Sequence, residues 1–313
     1  MIKISAPGKI HLLGEHAVVY GKPALLAAVD LRVTVHLRGE KMRLHLGGGA
    51  NLAKIIEPII KKQLKIKQIP PYKLEISSQI PVGAGLGSSA AVSAACIAAL
   101  LSFLKVKWDL ELINRLAFEA EKVFHGNPSG GDNTAVVYGG LIWYQKNKGV
   151  QPLKFPISPR LTRNFILINT GKPKETTKQM VEMVAEKSSL RRQSYGASAT
   201  RFKKIFDDQE QLVKELVTVL KDGNEMKLIQ IIKAGERNLE AIGVVSPSVK
   251  SIIRKIENAG GAAKICGAGG KTKATGVLLA YYKDGKELEK IAKSLNLPFF
   301  KVALGVEGLK NEN

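Results

Sequence analysis

Cysteine is nearly absent from this chain, with 2 in 313 residues, Cys96 and Cys266. They lie far apart, one in an apolar run and one beside glycines, which excludes a disulfide framework and a knuckle of closely spaced metal-binding thiols. Long apolar runs are missing too. The nearest approach to a membrane span, AAVSAACIAALLSFL at 90–104, falls short of the roughly 18 apolar residues required and is dominated by small side chains, so it reads as a buried core helix. The N-terminus MIKISAPGKIHLL departs from the plan of a signal peptide, because Pro7, Gly8 and Lys9 interrupt its apolar stretch. These absences lead to the expectation of a cytoplasmic protein without a membrane partner.

Acidic residues are few: 27 Asp and Glu stand against 48 Lys and Arg, a formal net charge of +21. Aromatic residues, at 6%, are sparse and do not form a block among the lysines of KKQLKIK (61–67), RRQ (191–193) or RFKK (201–204) that would stack bases. The charge therefore reads as a generally basic surface that attracts anionic metabolites, and no nucleic acid is expected as a partner. Neither an internal repeat nor a low-complexity linker is present, and the length suits about two domains.

IKISA, ALLAAV and LRVTVHL read as strands, and NLAKIIEPIIKKQL has helical spacing with Pro58 placed to kink or end it. YKLEISSQI returns to alternation before a glycine loop and the apolar helix. The next helix has Asp109 as N-cap and Gly126 as stop, and TAVVYGGLIWYQ reads as a hairpin. The pattern restarts near residue 160: strand NFILINT, helices over about 175–241 and 247–258, strands AAKICGA and TGVLLAYY around a second glycine turn, helix GKELEKIAKSL and strand FFKVAL. Two α+β domains are predicted, 1–160 and 161–313, with the active site between them.

The loop PVGAGLGSSAA (81–91) places glycines where a backbone must bend or approach a ligand, at a helix start whose free N–H groups suit a phosphate. Two common phosphate loops fail on spacing. Residues 81–91 hold no Gly-Lys pair for a Walker loop, and CGAGGKTK (266–273) has Ile265 at the first glycine position and a strand after it. Gly83, Gly85 and Gly87 are spaced G-x-G-x-G, unlike a dinucleotide loop. What remains is a glycine loop opening a helix at Ser88 and Ser89, whose hydroxyls either meet a metal or phosphate oxygen or cap the helix.

Two further stretches carry chemistry. Ile113, Ala117 and Glu121 share a helix face while Glu111, Arg115 and Glu119 face water, so Glu121 needs a cation or partner unless it is a border residue. Asp132 follows in a glycine-rich loop, as a second carboxylate of the same cleft or a turn former. In APGKIHLLGEHAVVYGKPAL (6–25), Lys9 lies on or beside the first strand, as a reactive group or a guard of the strand edge, and Glu15, His16 and Gly21 form a polar turn in which His16 is either a hydrogen-bonded structural residue or a functional one.

These elements in this order, followed by KICGAGG, resemble the GHMP kinase superfamily, named for galactokinase, homoserine kinase, mevalonate kinase and phosphomevalonate kinase. Within it APGKIHLLGEHAVVYG, PVGAGLGSSAA and EKVFHGNPSGGDN are most similar to the mevalonate kinases, over nearly the whole chain. Galactokinases share Gly14-Glu15-His16 but usually continue with Thr-Asp where this chain has Ala17-Val18. The resemblance implies the α+β GHMP kinase fold, an N-terminal ribosomal-protein-S5-like α/β domain and a C-terminal ferredoxin-like α+β domain, with ATP and substrate in the groove between. It implies ATP-dependent phosphorylation of the C5 hydroxyl of mevalonate, and a homodimer as the usual form.

Carried over by position, Gly83, Ala84, Gly85, Leu86, Gly87, Ser88 and Ser89 wrap the ATP phosphates, and Ser89 with Glu121 holds Mg²⁺. Asp132 takes the proton of the C5 hydroxyl; Lys9 lowers that hydroxyl's pKa and steadies the transferring phosphoryl group. Glu15 and His16 lie against the substrate, and Thr176 in NTGKPKETT lies near the phosphates. One departure is GAGGKTK where family members carry a glycine run ending in cysteine; Lys271 and Lys273 are either extra phosphate contacts or solvent-facing charges. A relative acting on phosphomevalonate, another mevalonate position or a sugar is the alternative. Lys9, Ser89, Glu121 and Asp132 together oppose a non-catalytic sensor or nucleic-acid binder on the same scaffold.

Overall fold

The first apolar segments close into an antiparallel pair, β1 (Ile2–Leu13) and β2 (Pro23–Gly39), with register shifts at Pro7/Gly8 and between His11 and Leu13. The computed structural model describes all residues except 43, 46–48, 82–83, 126–127, 147, 163, 190–196 and 313. ALLAAV and LRVTVHL, read as two strands, are continuous in β2 because each half finds its own neighbour. Pro23–Ala27 pairs with β5 (Leu141–Gln145), and Val33–Gly39 pairs with β4 (Tyr72–Ser78). With β3 (Leu44–His45), β6 (Gly149–Leu153) and β11 (Lys310–Asn311) the described strands form one seven-stranded sheet.

Helices α1 (Gly49–Leu64), α2 (Ser88–Phe103) and α4 (Gly131–Tyr138) pack on this sheet, and α3 (Leu110–His125) packs on all three. Helix α2 is the buried helix the sequence led us to expect, closed from solvent from Ala90 to Leu101 apart from Val92, and its alanines let the sheet, α3 and α4 all approach it. Helix α1 does not end at Pro58 but continues to Leu64, with Ile56 and Ile60 buried on either side of the proline.

TAVVY is helical, not the first strand of a hairpin. Gly130 in the left-handed region starts α4, Thr134 Oγ1 donates to Gly130 O at 2.7 Å, and Asn133 Nδ2 donates to Asn114 Oδ1 at 2.6 Å. These anchors and the burial of Ala135, Val136 and Val137 override the strand preference of the β-branched residues. Strand β5 takes β2 and β6 as neighbours instead.

The second sheet has the order β10 (Phe299–Val302), β7 (Phe165–Asn169), β9 (Val277–Tyr281), β8 (Ala262–Ile265), every pair antiparallel. Helices α5 (Thr177–Ser189), α6 (Ala197–Asp222), α7 (Glu225–Ile242) and α8 (Pro247–Asn258) lie between β7 and β8 in the chain, and α9 (Gly285–Ser294) between β9 and β10. This is the ferredoxin-like order with extra helices in its first crossover, and the whole is the α+β fold anticipated. Asn224, Ser246 and Asp284 accept backbone N–H groups as N-caps of α7, α8 and α9. The halves share apolar packing: Ile10 and Leu13 of β1 belong to the same buried cluster as Val213 and Leu216 of α6 and Leu279 of β9. Among the described residues no helix is long and apolar enough to cross a membrane.

Because α2 is packed on all sides, Ala94→Leu should lower stability by about 1–3 kcal/mol, read from the urea midpoint. An unchanged midpoint would show that the helix has slack that the burial pattern denies.

Candidate active site

Lys9 enters the site from β1 with 5% of its surface exposed, and its Nζ lies 3.0 Å from Asp132 Oδ2 in the first turn of α4. An ammonium so buried needs an oxygen partner. The Asp132 side chain keeps 36% exposure, so the pair is closed on its basic side and open on its acidic side. The glycine loop passes over the lysine: Lys9 N–H donates to Leu86 O at 2.9 Å. Gly87 has φ +71°, and a Cβ there would stand 2.7 Å from Lys9 Cγ. Glycine is therefore required by the lysine stem as well as by the turn.

Ala84 and Leu86 are buried, Gly85 is exposed, and Ser88 and Ser89 are half-buried in the first turn of α2. Gly87 occupies the N-cap without a side-chain cap bond, so neither serine is the cap residue. Gly83 lies outside the described residues. Helix α3 begins as expected, Leu112 N–H donating to Asp109 Oδ1 at 2.8 Å, while its expected stop, Gly126, lies outside the described residues. Glu121 is 2% exposed on the Ile113–Ala117 stripe of α3, against which α2 packs. No group of three His, Cys, Asp or Glu able to form a metal cage occurs among the described residues. One carboxylate and one hydroxyl are the hard oxygen donors that suit Mg²⁺, which keeps waters and phosphate oxygens for its other positions.

The turn after β1 reaches into the other half of the molecule. Gly14 has φ +100° and no room for a side chain, a Cβ there lying 2.4 Å from Ala24 Cα. Glu15 is buried and paired with Lys264 of β8, whose side chain is wholly enclosed. The same ammonium donates to Ile265 O at 2.5 Å and His11 O at 3.4 Å. Burial opposes the charge of Lys264, yet Glu15 beside it leaves its pKa raised. His16, at φ 59°, has its pKa lowered by burial, and its Nε2–H donates to Ala268 O at 3.0 Å in the second glycine turn.

Thr176 stands apart from this group: it is exposed at the start of α5, its Oγ1 accepting from Gln179 N–H. Its neighbour Glu175 accepts from Thr272 Oγ1 at 2.8 Å, which ties that segment to the second glycine turn. Lys271 and Lys273 are both exposed.

Sequence reasoning missed Lys264, Glu236 and His11. Glu236 of α7 is fully buried, with Oε2 accepting from Ile265 N–H at 3.0 Å and Oε1 without a hydrogen-bond partner. Burial pushes its pKa up to about 8, against the pull of the Ile265 N–H and Lys264. The signal that found Glu121 was available here too, since Glu236 falls between Ile232 and Leu239 at helical spacing.

A family model described as the GHMP kinases N terminal domain matches residues 51–140. The mevalonate kinase of Archaeoglobus fulgidus is 35% identical over 273 residues, covering 85% of this chain and 88% of that protein. Among solved structures, the Methanococcus jannaschii mevalonate kinase superposes with a TM-score of 0.81 at 22% identity, covering 96% of this chain and 98% of its own. The L. major mevalonate kinase in complex with R-mevalonate also reaches 0.81, at 23% identity, covering 98% and 96%.

Two outcomes follow from the geometry. Gly87→Ala should displace Lys9 and cut turnover at least tenfold with the fold retained by circular dichroism; wild-type turnover would contradict the close approach. Glu236 keeps its proton in the folded state while the unfolded chain loses it near 4.5, so its contribution to stability fades as pH rises from 4.5 through about 8. Glu236→Gln should therefore gain melting temperature over wild type at pH 9 relative to pH 6, and an equal difference at both would contradict the buried proton.

Proposed function

The chain belongs to the mevalonate kinase family within the GHMP kinases, and on that premise we propose how its residues share the reaction. It transfers a phosphoryl group from ATP to mevalonate. Such a transfer asks for in-line positioning and neutralisation of charge more than for covalent chemistry. The observation that carries our assignment is the Lys9–Asp132 contact beneath the glycine loop, 3.0 Å long with its carboxylate open.

Asp132 accepts the proton of the C5 hydroxyl as that oxygen attacks. Lys9 stabilises the alkoxide that develops and the phosphoryl group that moves toward it. Backbone N–H groups of the loop through Gly87 and of the first turn of α2 face the ATP phosphates, with the helix dipole adding to their attraction. Ser89 and Glu121 would hold Mg²⁺, which would supply charge neutralisation at the phosphate oxygens. Glu15 and His16 border the mevalonate side, and Thr176 the phosphate side, tethered through Glu175 and Thr272.

The division at residue 160 assigns Lys9, the loop, Glu121 and Asp132 to one domain and Lys264, Ala268 and Thr176 to the other, with both substrates between. The resemblance also supports a homodimer.

Coupled ATP turnover compared on mevalonate, phosphomevalonate and galactose should favour mevalonate. Asp132→Asn should lower kcat by about 10²- to 10⁴-fold and change ATP affinity by no more than a few fold. A variant that keeps wild-type kcat would contradict the base assignment, and turnover confined to another substrate would contradict the substrate reading.

A further inference from the structure

His11 is a polar side chain to which the mechanism above gives no task. It lies in the stretch of β1 that pairs regularly with β2, opposite Leu26, while Lys9 is opposite Ala28. The two side chains therefore leave the same face of the sheet, about 7 Å apart along the strand. Ile10 between them enters the apolar core. Behind His11, its carbonyl accepts from Lys264 Nζ at 3.4 Å, the ammonium that also holds Glu15. The imidazole thus sits between the Lys9–Asp132 pair and the Glu15–His16 turn, and the charges that reach it are those of Lys9, Asp132, Lys264 and His16.

Its Nδ1 is closed off from solvent without a hydrogen-bond partner, a costly state for a polar atom unless something else supplies the bond. Burial, followed by the charge of Lys9, lowers the His11 pKa to about 3, so the ring is neutral at physiological pH. A neutral imidazole offers one donor and one acceptor. A hydroxyl pairs with either nitrogen, whereas a carboxylate pairs only with the one that carries the proton. Mevalonate carries two hydroxyls, and the C5 hydroxyl is committed to Asp132.

We propose that His11 is a specificity-determining residue whose imidazole hydrogen-bonds the C3 hydroxyl of mevalonate. The assignment rests on the reading of mevalonate as substrate, and it adds a contact in the strand that carries Lys9. A substrate lacking that hydroxyl would leave the buried nitrogen unpaired and be disfavoured for that reason.

The test compares kcat/KM for mevalonate and for its 3-deoxy analogue, 5-hydroxy-3-methylpentanoate, in wild type, His11→Phe and His11→Ala, each checked by thermal melting. Wild type should prefer mevalonate about tenfold, the scale of one hydrogen bond. His11→Phe should lose about that factor on mevalonate, through KM, with KM for ATP unchanged and the preference over the analogue abolished. His11→Ala serves the same comparison should the phenylalanine variant melt early. Equal preference ratios in wild type and variant would overturn the assignment while leaving mevalonate as the substrate. A wild type that phosphorylates neither compound would overturn both.

Discussion

An ammonium group as enclosed as that of Lys9 persists only where its neighbours supply oxygen, and here Asp132 does so at 3.0 Å. Three elements have to meet for this to happen. Strand β1 brings the lysine, α4 begins on the left-handed Gly130 so that Asp132 falls in its first turn, and the loop before α2 must cross the lysine stem without a side chain at position 87. The glycine loop is thus constrained from below by a lysine stem that leaves no room for a side chain at position 87.

A second buried charge joins the two sheets. Lys264 of β8 and Glu15 of the turn after β1 are enclosed almost completely, and Glu236 of α7 lies close enough to feel both. One ammonium balances one carboxylate, and the second carboxyl keeps its proton. Such a pair adds little net stability over an apolar substitute, but removing one partner leaves a stranded charge. Its consequence is geometric: it fixes the turn bearing Glu15 and His16 against the strand and glycine turn at 264–270.

Lys9, Asp132, Glu121 and the loop stood out in the sequence as local departures from pattern, a charge near a strand, a carboxylate on an apolar stripe, glycines before a helix, but their roles came from the resemblance alone. The ferredoxin-like order was legible from the resemblance, and the structure confirms it in the register of β7 to β10. TAVVY was misread because strand propensity says nothing of the Asn114 and Gly130 anchors that hold it as a helix. Lys264 was invisible for a related reason, its partner being 249 residues away in the chain. His11 looked like one more polar residue in a strand until Lys9, Asp132 and Lys264 were placed around it.

The central claim is that Lys9 and Asp132 work as a single unit. Its most direct test is a double-variant cycle in kcat, with Lys9→Met, Asp132→Asn and the two combined, each confirmed as folded. The account predicts that the combined variant is about as slow as the slower single variant, because either change disables the same unit. Losses that multiply would show two groups acting independently and would contradict it.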